Sequence, residues 1–421
     1  MATTTTTAAV GMDIGSYNAR VATFDESLGQ AMCAHNSDGH RTTKVSTEND
    51  EEVAADTLMS FVQAKLVPLA TDAAHTKDLH IVASVPNDNN NHNQEQWIGE
   101  LLKCCQGGVI SEAAAICLAY GLEESVQPNQ CVLVIDGGFT AIKATKLRCL
   151  PGDLWTVETT QSLASVNGMS LVEPLAQSVA QQFETKHRFP RGEVWQSKKA
   201  RAKLQKACES GLTTLQINNT LTIHVDGLYE GMDCQVTISK AKWDHLSSTL
   251  VKDTKEFLKK HFVVEANEES VIEKVLLSGN MHTWLKPIVT GIFADKVLSS
   301  DIDPSEAIAL GCAKQARWSL ENNTTQHQGS AALKQPCLTV PVSPITVAIN
   351  RDTVVIEHGT PLPVMALYEP TNVMTLDIWQ IHPSEKKLAT LEDVSSEATI
   401  RLFLSKSGQL KVAVDGECFV I

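Results

Sequence analysis

The sequence predicts an α/β fold built on a duplicated unit and followed by a small all-β sandwich. Three observations predict it. The stretch Val132-Leu-Val-Ile-Asp136-Gly-Gly-Phe-Thr140 is an apolar, β-branched run that stops at an acid and two glycines. Val10-Gly-Met-Asp13-Ile-Gly15-Ser16-Tyr17-Asn18 repeats that pattern near the N-terminus, and two such loops suggest two halves facing one cleft. Helical and strand periodicities alternate up to about residue 320, and beyond the polar segment 321–337 every apolar run is short and strand-like.

The loops suggest a chemistry. Gly137 and Gly138 permit a tight turn and let main-chain N–H groups approach a phosphate without a Cβ between them, and Thr140 adds a hydroxyl. A strand–Asp–Gly turn alone is more often an ordinary β-turn. The pairing of the two loops, and the order of what lies between them, carries the reading.

A chain of 421 residues with 43% apolar composition buries a large core and has room for two to four subdomains. Its net charge of −14 argues against a surface that binds nucleic acid or anionic membrane by itself. The 11 cysteines show no C-x-x-C or Cys/His cluster with metal-ligand spacing, so they are expected to be reduced, mostly buried thiols of a cytoplasmic protein. The threonine-rich residues 1–9 read as disordered and unlike a signal peptide, and no apolar run approaches the length of a membrane span.

The elements follow in order. Val10–Asp13, Ala19–Phe24 and Gly29–Cys33 read as a β-meander, and residues 48–70 as a helix behind the acidic run Glu48–Glu52. Leu79–Val85 reads as a buried strand ending at Pro86. The tract Asn87–Gln94 reads as a turn and cap before a helix at Trp97–Leu102, or alternatively as low complexity. Glu112–Tyr120 is an alanine-rich helix. After the Asp136 loop come strands at Ala141–Leu150 and Trp155–Leu163, a helix at Ser170–His187, and a helix whose Lys198, Lys199, Arg201, Lys203 and Lys206 form either a solvated face or a binding patch. Strands at Leu221–Val225 and Cys234–Ile238, helices within Lys240–His261, and the strand Val275–Gly279 follow. A helix at Asp303–Ala316, capped by Asp303 with Pro304 in its first turn, closes this part. Strands are then expected at Leu338–Asn350, Thr353–Glu357, Met374–Ile381, Ala389–Leu391, Thr399–Leu404 and Gln409–Val414.

This order of motifs resembles the DnaK-type, seventy-kilodalton heat-shock chaperones of the actin-like ATPase fold. The resemblance rests on Asp13–Asn18, Glu112–Gly121, Asp136–Thr140, Leu228-Tyr-Glu-Gly-Met-Asp233, Val275–Gly279 and Asp303–Gln315. It implies an actin-like domain over 10–320, a linker over 321–337 and a truncated β-sandwich of the substrate-binding type over 338–421. It also implies ATP with Mg as cofactor. Asp13 and Asp136 would organise the metal and Glu112 would join them, while Gly15, Ser16, Tyr17, Gly137, Gly138, Thr140 and Gly279 would line the nucleotide. The alternative is that these acids only cap turns and helices.

Departures from the family pattern point elsewhere. The subdomain that would supply a water-positioning lysine is almost wholly missing between Arg41 and Val53, and Lys44 lies too near the first meander to replace it. The second loop is one residue short, with Phe139 at a glycine position. Leu212, Thr213 and Gln216 stand where lysine, arginine and serine would grip the nucleoside, and His282 and Trp284 replace an arginine and a proline; His282 either stacks on a base or is packed. Without the lysine and the clamp, the expectation is a pseudo-ATPase with negligible turnover and with nucleotide affinity weak or absent.

The sandwich stops before the helical lid of the family. Together these features resemble the lid-less homologue of the ribosome-associated complex. The implied role is a non-catalytic co-chaperone scaffold, paired with a zuotin-type J-domain protein and reaching the ribosome through that partner, with nascent polypeptide as a further implied contact. An exposed sheet edge at Leu338–Asn350 would dock the partner by strand addition. The rivals are a weakly hydrolysing, peptide-binding ATPase chaperone, an exchange-factor-like homologue, and a sugar kinase of the same superfold.

Overall fold

The computed structural model describes residues 7–15, 17–36, 39–41, 43–44, 59–86, 105, 107–122, 126–150, 154–263, 271–325, 338–339, 342–372, 374–405, 409–414 and 417–420. The start of the helix expected at 48–70, the capped helix expected at 87–102, most of the linker expected at 321–337, and Ser16 lie outside the described residues. So does most of the segment between Arg41 and Val53. The chain divides into two compact units, residues 1–153 with 158–337, and residues 154–157 with 338–421.

The first unit opens with β1 (Ala8–Ile14), β2 (Asn18–Asp25), β3 (Gln30–Cys33) and β4 (Thr43–Lys44). Because β1 begins at Ala8, Ala8 and Ala9 belong to the sheet and not to a disordered N-terminus. A π-helical turn at Val62–Leu66 leads into α1 (Val67–Ala74), and β5 (Leu79–Val85) and β6 (Gly108–Ser111) complete the sheet in the order β3-β2-β1-β5-β6. Its core holds Val10, Met12, Val21, Val62, Leu66 and Ile81. α2 (Glu112–Ala119) follows, with the Ser111 side chain accepting the Ala114 N–H as N-cap. Every residue of α2 after Glu112 is buried, which its alanines allow.

The second half repeats the plan. β7 (Cys131–Gly137), β8 (Ile142–Leu150) and β9 (Leu154–Leu163) form an antiparallel run, as β1–β3 do. α3 (Gly168–His187) begins at a capping box between Asn167 and Ser170, then come α4 (Glu193–Gln196) and α5 (Lys198–Ile217). β10 (Thr220–Tyr229) and β11 (Met232–Ser239) make a hairpin whose turn residues Glu230 and Gly231 both have positive φ, the conformation a two-residue hairpin requires. This turn is the Leu-Tyr-Glu-Gly segment. α6 (Lys240–Leu246), α7 (Ser248–Phe262), β12 (Ile272–Ser278) and α8 (His282–Phe293) follow. β12 lies parallel to β7 on the side away from β8, just as β5 lies parallel to β1 on the side away from β2.

α9 (Ala307–Thr325) ends the first unit. It starts later than the sequence suggests, because residues 303–306 form a turn: Asp303 Oδ1 accepts the Ser305 N–H at 2.9 Å, and the Pro304 carbonyl accepts the Gly279 N–H at 3.1 Å. α9 crosses α2 at Gly311, where an added Cβ would sit 1.8 Å from the Ala115 carbonyl oxygen. Only glycine permits that approach.

The second unit is a β-sandwich. β13 (Leu338–Thr339) pairs in parallel with Leu154 and Trp155. The remaining strands are β14 (Thr346–Ile349), β15 (Thr353–Ile356), β16 (Val364–Tyr368), β17 (Met374–His382), β18 (Lys386–Val394), β19 (Ile400–Leu404), β20 (Leu410–Val414) and β21 (Glu417–Val420). They form sheets of order β15-β14-β17-β18 and β16-β19-β20-β21 around a shared core of Val347, Ile349, Ile378, Ile400, Leu402 and Val412. Two strands were not anticipated. β16 is apolar on both faces and so shows no alternation, and β21 is short. The expected docking edge at Leu338–Asn350 is corrected in part: β14 lies between β15 and β17, whereas β13 is the edge strand beside β9, and the edges of the two sandwich sheets are β15, β18, β16 and β21.

Eight cysteines among the described residues are buried. No helix among the described residues is long and apolar enough to cross a membrane.

Candidate functional site

The two halves of the first unit meet at a cleft of about 200 Å³. Asp13, Gly15 and Tyr17 line it from the first hairpin, Glu112 from the start of α2, Asp136, Gly138 and Thr140 from the second hairpin, and Gly279 from the turn after β12. Gly137 is the exception among the expected residues: it is buried behind the cleft, where an added Cβ would lie 2.7 Å from Met281 Cβ and from Leu285 Cδ1.

The two loops are closed in the same way. The Gly15 N–H donates to the Asn18 carbonyl at 3.1 Å, and the Gly138 N–H donates to the Ala141 carbonyl at 3.0 Å. What these glycines supply is the tight turn; their own amides are engaged in it. Tyr17 and Phe139 then stack face to face across the loops, with centroids 4.0 Å apart and ring planes within 6°. The Tyr17 hydroxyl donates to Glu209 Oε2 on α5 at 3.0 Å. Phe139, at a position where the family has glycine, thus clasps one hairpin to the other.

The floor is acidic. Burial pushes Asp13 up to about 6, with Arg20 opposing the rise and Asp136 adding to it. Burial likewise pushes Glu112 up to about 7, against the pull of Lys143, and raises Asp136. Glu112 stands in the first turn of α2, where the helix dipole favours its charged form. One Asp136 oxygen, Oδ1, is buried with no hydrogen-bond partner.

Two cations stand among these acids, and sequence reasoning missed both. Lys143 Nζ lies 3.4 Å from Glu112 Oε2. Arg20 donates to Asn280 Oδ1 at 2.7 Å and lies 3.9 Å from Asp13 Oδ2. The signal was present, since a base follows the acid at the same spacing in both hairpins, Asp13 to Arg20 and Asp136 to Lys143.

The nucleoside side is less open. His282 is part-buried and held through both ring nitrogens, Nδ1 to the Gly279 carbonyl at 2.9 Å and Nε2 to Thr283 Oγ1 at 3.1 Å. Trp284 and Leu212 are core residues. The side chains of Thr213 and Gln216 lie outside the described residues. Lys44 pairs through its backbone with Asn18.

The residues fit a phosphate-bearing ligand better than a metal held by protein alone. Among the described residues no group of three or more His, Cys, Asp or Glu side chains forms a metal cage, and the Lys143 ammonium stands beside Glu112 in the cleft.

Twin hairpins, each ending in an acid, with a connecting helix behind each half and a sandwich in a separate unit, define a protein of the actin-like ATPase fold. The family model for Hsp70 protein matches residues 44–327, more than half of the chain, and the chain belongs to the Hsp70 family. It is 24% identical over 355 residues to heat shock 70 kDa protein 14-B of Xenopus laevis, covering 82% of this chain and 69% of that one. It is 24% identical over 369 residues to heat shock 70 kDa protein 14 of Rattus norvegicus, covering 85% of this chain and 71% of that one. With heat shock 70 kDa protein 2 of Paracoccidioides lutzii it shares 26% identity over 261 residues, 61% of this chain but only 38% of that protein.

Family membership corrects the expectation of a pseudo-ATPase. The chain falls among heat shock 70 kDa proteins, a family of ATPases. That expectation rested on the missing water-positioning lysine and the missing nucleoside clamp; a different lysine, Lys143, from the strand after the second loop, lines the cleft.

Proposed function

We infer that the chain is an ATP-binding chaperone of the Hsp70 family that works as a co-chaperone beside a J-domain protein. The observation that carries the nucleotide reading is the convergence of Asp13, Glu112, Asp136 and Lys143 on one cleft between twin glycine turns. Carboxylates in that arrangement orient water, while the lysine offsets phosphate charge. When bound, ATP would bring the phosphoanhydride that the site acts on. Titration of the purified chain with ATP, and turnover assays of wild type, Asp13→Ala and Asp136→Ala, test this. Binding and turnover lost in both variants support it; a wild type that binds no nucleotide sinks it.

The co-chaperone part rests on the resemblance to the lid-less homologue of the ribosome-associated complex and on alignments that cover most of both chains with the proteins named 14 and 14-B. The partner would be a zuotin-type J-domain protein, with the ribosome reached through it and the emerging polypeptide as client. The docking edge in this reading is β16, which pairs only with β19 among the described strands and exposes Met365 and Leu367 at 59% each. An open edge with apolar side chains favours strand addition. A tagged pull-down across a sucrose gradient tests it. Stoichiometric recovery of a J-domain protein with ribosomes, lost on Met365→Lys with Leu367→Lys, is the expected result; the chain sedimenting alone overturns it.

A further inference from the structure

The cleft's two hairpins carry the same charge pair in the same register. Asp13 stands directly opposite Arg20 in the β1–β2 ladder, and Asp136 directly opposite Lys143 in the β7–β8 ladder. The two bases are not equivalent. Arg20 is 6% exposed and is committed to Asn280 and Asp13, so it ties the first hairpin to the turn after β12. The Lys143 side chain is 25% exposed, lines the cleft, and meets Glu112 at the long distance of 3.4 Å. An ammonium has three donors on a rotatable stem, so it can serve a carboxylate and an incoming oxygen together.

The surroundings define what such a lysine must do. Three acids on the floor repel phosphate oxygens unless a cation stands between them. The amides of Gly15 and Gly138 close their own turns, so those two donors do not neutralise an anion. A cation built into the chain, on the strand that leaves the second loop, is present.

We propose that Lys143 binds the terminal phosphate oxygens of the nucleotide directly, and that the site thereby holds a nucleoside polyphosphate without needing a divalent metal. Glu112 positions the ammonium, and Arg20 fixes the geometry of the opposite wall. This rests on the nucleotide-binding reading above. It goes beyond that reading by assigning the phosphate-binding group and by making the affinity independent of metal. Affinity then follows the length of the phosphate chain, ATP and ADP binding more tightly than AMP, and it persists in chelator.

Isothermal titration of the full chain with ATP, ADP and AMP, in EDTA and in magnesium, tests this, with melting curves to confirm that each variant is folded. Wild type is expected to bind ATP in EDTA within about threefold of its affinity in magnesium. Lys143→Met is expected to lose about 10–100-fold toward ATP in EDTA, the worth of one charge-assisted contact, with little change toward AMP. Lys143→Arg is expected to recover part of that loss. If Lys143 only neutralises Glu112, the double variant Lys143→Met with Glu112→Gln binds ATP as well as wild type does, and the proposal is overturned. ATP binding that vanishes in EDTA overturns it without any variant. The two readings fail separately: magnesium-dependent binding unchanged by Lys143→Met removes this proposal and leaves the nucleotide-binding reading standing, whereas no binding of any nucleotide removes both.

Discussion

Asp13 at about 6 and Glu112 at about 7 sit far above the ordinary carboxylate range because burial disfavours their charge. The unfolded chain releases these protons near pH 4, so from there up to about 7 the folded chain holds more of them. Stability from the two groups is therefore full at low pH and is lost as pH rises through 6 and then 7. The ligand-free protein should melt at falling temperature across that window. Glu112→Gln should flatten the slope by an amount on the order of 2 kcal/mol, measured as the difference between wild-type and variant denaturation at pH 5 and pH 8. An unchanged slope would mean that Glu112 is ionised throughout. Asp13 and Asp136 were legible in the sequence because a strand ending in an acid and a glycine is a local pattern. Lys143 was not, because its importance depends on which strand lies beside β7 and on register, which places it opposite Asp136.

At the scale of elements, two glycine substitutions on helices should have opposite signs. Gly311→Ala would drive a Cβ to 1.8 Å from the Ala115 carbonyl oxygen and must part α9 from α2, so a loss of about 3 kcal/mol or more is expected in urea denaturation. Gly291→Ala on α8 meets nothing within 4 Å and should gain about 0.5–1 kcal/mol from helix propensity and reduced chain entropy. The aromatic clasp between the hairpins is a second element-level test. A double-mutant cycle on Tyr17→Ala and Phe139→Ala should show a coupling of about 0.5–1.5 kcal/mol, and a coupling near zero would mean that the stack does not hold the loops together. Helices and strands were readable where their signals are local, as in the alanine-rich helix from Glu112 and the strands Leu221–Val225 and Cys234–Ile238. The start of α9 was misplaced because Asp303 and Pro304 satisfy a helix-start rule, yet the Pro304 carbonyl is taken by Gly279 from another element.

At the scale of the whole molecule, each unit has its own core. Leu402→Ala removes a fully buried side chain from the sandwich core and should cost about 2–5 kcal/mol there, while leaving ATP affinity at the cleft of the first unit unchanged. Loss of nucleotide binding in a folded Leu402→Ala protein would show that the sandwich core supports the cleft. By itself the sequence determined the duplicated α/β plan, the all-β C-terminal part and the two acid–glycine loops, because periodicity and turn chemistry are set by residues near one another in the chain. Only the tertiary structure decided that Gly137 packs behind the cleft, that β14 is an interior strand, and that Lys143 and Arg20 stand among the acids. Those facts depend on which strands become neighbours, and that is fixed by burial and close packing between segments far apart in sequence.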